Sequence, residues 1–117
     1  MKDRDWSLHD LLRSLGLNRT YTGYQYLIYI LELVRKEPER LEQVTKQIYP
    51  DVAREFGVKT GSVDSALRTT AKVCWEAGAE AWCGRQDGRD RPPTVSVFLR
   101  QLAREDRRRR ETGGYKP

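Results

Sequence analysis

Tyr49–Arg68 reads YPDVAREFGVKTGSVDSALR, and its spacing predicts two short helices joined by a tight turn. Val52, Ala53 and Phe56 give the first helix an apolar stripe. Pro50 fits its first turn, where the missing N–H costs nothing. Gly57 stands where that helix must stop, in a position that favours a left-handed residue. Val58 follows as an apolar plug, and Val63, Ala66 and Leu67 supply the inward face of the second helix. Ala53 is small where the second helix crosses over it. This is the pattern of a helix-turn-helix. The outward positions of the second helix are Thr60, Gly61, Ser62, Asp64, Ser65, Arg68, Thr69 and Lys72, which are short, polar and mostly uncharged or basic. Such a helix can lie in a DNA major groove. An ordinary helical hairpin with a solvated polar face has the same spacing, so this stretch alone leaves both readings open.

The flanking sequence is helical throughout. On the N-terminal side, Ser7 and Asp10 form a weak capping box ahead of Leu8, Leu11, Leu12 and Leu15, and Gly16 ends that helix. A second helix, from Thr22 or Gly23 to about Lys36, carries Tyr24, Leu27, Ile28, Leu31 and Val34 on a wide stripe. It is the most hydrophobic segment and is expected at the centre of the core. Pro38 to Ile48 is read as a third helix with Leu41, Val44 and Ile48 inward. The helix-turn-helix supplies the fourth and fifth, the fifth running past Arg68 through Val73, Cys74 and Trp75 to stop near Gly78. Ala79–Pro93 is loop-like, with Gly, Pro and charged residues. Thr94 then caps a last helix with Val95, Phe98, Leu99 and Leu102 inward. With no strand alternation and no repeat, the fold class is all-α, about six helices with an embedded helix-turn-helix. Residues 1–6 are expected to be a flexible N-terminus, 7–105 the folded domain and 106–117 a basic flexible tail.

Composition narrows the function classes. The 117 residues suit one domain with one core. Lys and Arg number 22 against 17 Asp and Glu, a net charge of +5 that favours a polyanionic partner. No apolar run approaches the roughly 18 residues of a membrane span, and the charged N-terminus lacks a signal-peptide core, so a cytoplasmic protein without a membrane partner is expected. Cys74 and Cys83 are too few for a disulfide framework or a four-ligand zinc site. His9 is the sole histidine, and neither a nucleophile–base pair nor a phosphate loop is present. An enzyme, a metal or a cofactor is therefore not expected.

Three segments carry a resemblance to a known family. Gly23-Tyr24-Gln25-Tyr26-Leu27 opens the second helix. Thr45-Lys46 leads through Tyr49-Pro50-Asp51-Val52-Ala53 to Phe56. The long fifth helix carries Val63, Ala66, Leu67, Arg68, Val73 and Trp75, followed by Pro93-Thr94 and Phe98. From about Leu8 to Glu105 the chain resembles the C-terminal DNA-binding effector domain of the stage-zero sporulation response regulator. The resemblance implies a six-helix fold whose fifth helix, about residues 60–77, enters the major groove of double-stranded DNA. It further implies transcriptional control, head-to-tail tandem dimers on DNA, contact with the RNA polymerase sigma subunit, and dimer contacts from the last helix.

Two departures from the family stand out. Its phosphoacceptor receiver domain has no counterpart ahead of Leu8, which leaves an excised effector and a stand-alone effector open. On the outward face, family Arg positions are occupied by Ser62 and Ser65, a Glu by Asp64 and a His by Thr69, while Arg68 matches. The loop before Pro92 is also shorter.

The DNA-binding residues expected on this basis are Lys59, Thr60, Ser62, Asp64, Ser65, Arg68, Thr69 and Lys72. Arg68 and Lys72, one turn apart, suit phosphates. Ser62, Asp64 and Ser65 suit base edges, with Asp accepting from cytosine N4. Lys59 and Thr60 sit where first-turn N–H groups can hold a phosphate. Tyr24, Tyr26, Trp75 and Phe98 fall on inward stripes and are read as core. Lys46 and Arg54 are read as solvated. Arg107–Arg110 is read either as added DNA or partner affinity or as a solubilising tail. The rival reading is an interaction module that dimerises with, or titrates, a homologous regulator or a sigma subunit without strong DNA readout of its own.

Overall fold

The computed structural model describes residues 3–79 and 93–112. Helix α1 spans Asp3–Ser14 and α2 Thr22–Lys36. A 3-10 turn (Pro38–Gln43) and a π turn (Val44–Ile48) follow, then α3 (Tyr49–Phe56) and α4 (Thr60–Cys74). A second π turn (Trp75–Ala79) ends that part, and α5 covers Val95–Thr112. The described residues contain helices and turns and no strand, as expected. The fifth helix of the sequence reading is α4.

Helix α2 is the axis of the molecule. It packs against α1, α3, α4, α5 and the 3-10 turn, and Tyr24, Tyr26, Leu27, Ile30, Leu31 and Val34 on it are all buried. Those positions recur every three to four residues, so one face meets α1 while the next meets α3 and α4. The apolar stripes of the other helices close over it, with Leu8, Leu11 and Leu12, then Val52, then Val63 and Leu67, then Phe98, Leu99 and Leu102, all fully buried. No helix among the described residues is long and apolar enough to cross a membrane.

The helix-turn-helix forms as the spacing requires. Gly57 adopts φ +66°, ψ +37°, and the Val58 N–H donates to the Ala53 carbonyl at 3.0 Å. This is the 6→1 closure of a left-handed helix stop. The same closure, from the Leu17 N–H to the Leu12 carbonyl at 3.1 Å, ends the first helix. Thr94 caps α5, its Oγ1 accepting from the Val97 N–H at 3.3 Å.

Four expectations are corrected. Helix α1 begins at Asp3, so Ser7 lies inside it rather than capping it. The expected third helix is two tighter and wider turns, because the backbone leaves helical angles at Gln43 (φ −141°, ψ 69°). The break lets Val44 and Ile48 both reach the core, while Arg40 bonds back to Glu37 and across to Asp51. Trp75, read as core, is half-buried in the second π turn. The last helix runs on to Thr112, which puts residues 106–112 in α5 rather than in a flexible tail. Asp106 explains the extension. It sits one turn beyond Leu102 on the inward stripe, 2% exposed, and takes a fork from Arg35 on α2: Nη2 to Oδ1 at 2.6 Å and Nε to Oδ2 at 2.9 Å. Residues 113–117 and Cys83 lie outside the described residues, as does most of the Ala79–Pro93 loop.

Candidate nucleic-acid interface

Helix α4 buries Val63, Leu67, Thr70, Ala71 and Cys74, which turns the intervening positions outward. Thr70 is polar and fully buried, and its hydroxyl donates to the Leu67 carbonyl at 2.7 Å. Thr60, Ser62, Ser65, Arg68, Thr69 and Lys72 are exposed, as is Lys59 just before the helix. The helix begins with Lys59 in extended backbone, with no side-chain cap and no acidic residue in its first turn. Its first N–H groups therefore face outward without a side-chain acceptor, at the positive end of the helix dipole.

Asp64 differs from its neighbours. It is half-buried, and its two carboxylate oxygens are both engaged. The Tyr49 hydroxyl of α3 donates to Oδ1, and Arg68 Nε donates to Oδ2 at 2.8 Å. Tyr49 is itself buried. Burial first, and the Asp64 carboxylate second, push its phenol well above the ordinary tyrosine range, so it remains a donor at any physiological pH. Arg68 is thus tied through Nε to a carboxylate that is tied to the core, while its side chain remains 74% exposed. Lys72 has no ion-pair partner among the described residues. Thr69 Oγ1 donates to the Ser65 carbonyl at 3.2 Å.

The α4 face has a neighbour that carried no sequence signal beyond the uncharged run Thr20-Tyr21-Thr22-Gly23. Thr20, Thr22 and Tyr26 on one side and Ser62, Ser65 and Thr69 on the other line a groove of about 600 Å³. Gly23 makes this approach possible. A Cβ there would lie 2.6 Å from Thr70 Cγ2 and 2.8 Å from the Ala66 carbonyl oxygen. Helix α2, like α4, starts without a side-chain cap and without an acidic residue in its first turn. Two helix starts, five serine and threonine side chains and two tyrosines therefore meet around one groove whose lining contains no acidic residue.

Lys46 is exposed and Arg54 leans on Asp51 at 3.3 Å. Asp51 also accepts from Tyr29 Oη at 2.8 Å and Arg40 at 3.0 Å, so this cluster holds the 3-10 turn against α2 and α3. A model of the C-terminal domain of sporulation initiation factor Spo0A matches residues 8–105. The chain belongs to that family. The matched span runs from α1 into α5 and contains the whole helix-turn-helix. The Spo0A C-terminal domain is a DNA-binding effector domain of a sporulation regulator, acting in transcription regulation, and not an enzyme family.

Proposed function

We propose that this Spo0A-type domain binds duplex DNA with α4 in the major groove and that Arg68 is its principal base-reading residue. The observation that carries the reading is the chain Tyr49–Asp64–Arg68. It holds the one arginine of the α4 face by Nε while the side chain stays largely exposed, and an arginine so presented suits the O6 and N7 of guanine. Asp64, with both oxygens engaged, serves as the positioning residue for Arg68 rather than as an acceptor for cytosine. Ser62, Ser65 and Thr69 face the bases as short hydroxyls that donate or accept. Lys59 and Lys72 take phosphates, and the first-turn N–H groups at Thr60 take another. With family arginines replaced by Ser62 and Ser65, the preferred site differs from the family's. Tandem dimers on DNA and contact with a sigma subunit belong to this proposal as the means by which binding reaches the polymerase.

Selection of bound sequences from a random duplex pool tests the proposal. A guanine-containing consensus that disappears with Arg68→Ala supports it. Indifference to sequence at moderate salt would favour the second reading, a module that pairs with a homologous regulator. One observation favours that alternative: Asp64 and Arg68 neutralise each other on the α4 face.

A further inference from the structure

At the far end of α2 from the α4 groove lies a second groove of about 460 Å³, between the last turns of α2, the 3-10 turn and α5. Along α2 the two linings are five residues apart at their nearest, Tyr26 to Leu31, roughly 7–8 Å of helix. Its floor is apolar, built from Leu31, Val34, Leu41 and Ala103. Its rim is Arg100, Arg104, Arg107 and Arg110, all exposed. Helix periodicity puts them there: with Phe98, Leu99, Leu102 and Asp106 inward, positions 100, 104 and 107 form the adjoining outer stripe.

The rim keeps most of its charge. Asp106 is held by Arg35 beneath it and reaches Arg110 only at 3.4 Å. Arg107 touches Glu111 at 3.3 Å, with both side chains about two-thirds exposed or more, an arrangement worth little. Arg100 has a 3.5 Å approach to the Leu41 carbonyl. Arg104 has no ion-pair partner among the described residues. Five arginines against Asp106 and Glu111 leave a surplus of positive charge over an apolar floor.

We propose that this groove docks an acidic amphipathic helix of a partner protein, with carboxylates on the arginine rim and apolar side chains on the floor. Arginines at i, i+4 and i+7 recur every 5–6 Å or so along α5, the spacing of carboxylates on one stripe of an opposing helix. The guanidinium fork suits carboxylates. A nucleic-acid backbone has nothing to place on Leu41 and Ala103. The segments of this chain outside the described structure carry no acidic surplus: Glu80, Asp87 and Asp90 stand against Arg85, Arg89 and Arg91, and 113–117 adds only Lys116. A second copy brings a net charge of +5. Charge complementarity therefore points to a different, acidic protein, one that docks while the α4 face is occupied by DNA.

The probe is a fluorescent helical peptide with Glu at i, i+4 and i+7 and Leu on the adjoining stripe, titrated into the full chain with and without duplex DNA. Micromolar binding is expected, unchanged by DNA. It should fall about tenfold or more in an Arg100→Glu, Arg104→Glu variant and return with a Lys-for-Glu peptide. Circular dichroism should be that of the wild type. A Gln-for-Glu peptide binding equally well overturns the proposal, as does failure of the charge-swapped peptide to restore binding. An equal loss of DNA affinity in the double variant would make the rim a DNA contact. Self-association in ultracentrifugation that the double variant abolishes would make the occupant a second copy. Either result also overturns it.

Discussion

The two ends of α2 carry surfaces of opposite construction. At its start, hydroxyl side chains and two uncapped helix N-termini surround a groove beside α4, and the single arginine of the α4 face is held by Asp64. At its end, α5 raises a row of exposed arginines above an apolar floor. The residues best placed to read bases carry almost no net charge, while the net positive charge of the chain is concentrated on a helix outside the helix-turn-helix. Selectivity and electrostatic attraction are therefore separable in this domain. Substitutions on one surface should move observables that substitutions on the other leave alone.

The severest way to break the comparison is through Asp106. Removing one partner of a buried ion pair leaves the other charge stranded, at a cost of about 3–5 kcal/mol. Asp106→Ala should lose stability approaching that order in denaturant unfolding, because the two-bond fork from Arg35 to a buried carboxylate is lost beneath the arginine rim. Next comes Gly23→Ala, where the new Cβ meets Thr70 and the Ala66 carbonyl. Overpacking of this kind costs about 1–3 kcal/mol, and the loss should appear as a lower midpoint with an unchanged denaturant slope. Arg68→Ala should weaken the selected duplex about tenfold and erase its guanine preference in competition binding. Arg104→Ala should leave that preference intact. Tyr49→Phe, which removes only the donor to Asp64, should cost discrimination a few-fold while the salt dependence of binding stays the same.

The smallest effect is alkaline. Burial and the hydrogen bond to Asp51 push Tyr29 from its ordinary value near 10 to about 12. The folded state thus favours the neutral phenol. Its contribution is complete below pH 10 and is lost as pH rises toward about 12. Tyr29→Phe should flatten stability over that window, followed by unfolding curves alongside tyrosinate absorbance.

Much of this was legible in the sequence because apolar periodicity reports burial directly. The stripes of α2, α4 and α5, the stop at Gly57 and the cap at Thr94 all follow from local spacing. The outward positions of α4 were legible for the same reason. What periodicity does not encode is a polar pair far apart in the chain. Arg35–Asp106 and Tyr49–Asp64 each join residues on different helices, and both decide what the neighbouring arginines can do. One local clue existed: Asp106 continues the Leu99–Leu102 stripe, where a carboxylate needs a buried partner. Thr20 and Thr22 were illegible as groove residues because only the close crossing at Gly23 brings them to α4. The split of residues 38–48 into two irregular turns is accompanied by Arg40 reaching Asp51, again a contact between elements.

The bare backbone at Gly23 also has a practical consequence for redesign. With Ala66 and Thr70 pressed against it, the height and roll of α4 are set by this crossing rather than by the exposed positions of the helix. Ser62, Ser65, Arg68, Thr69 and Lys72 can then be exchanged as a cassette on a fixed mount. A library confined to those five codons would sample new target preferences while the scaffold holds its shape.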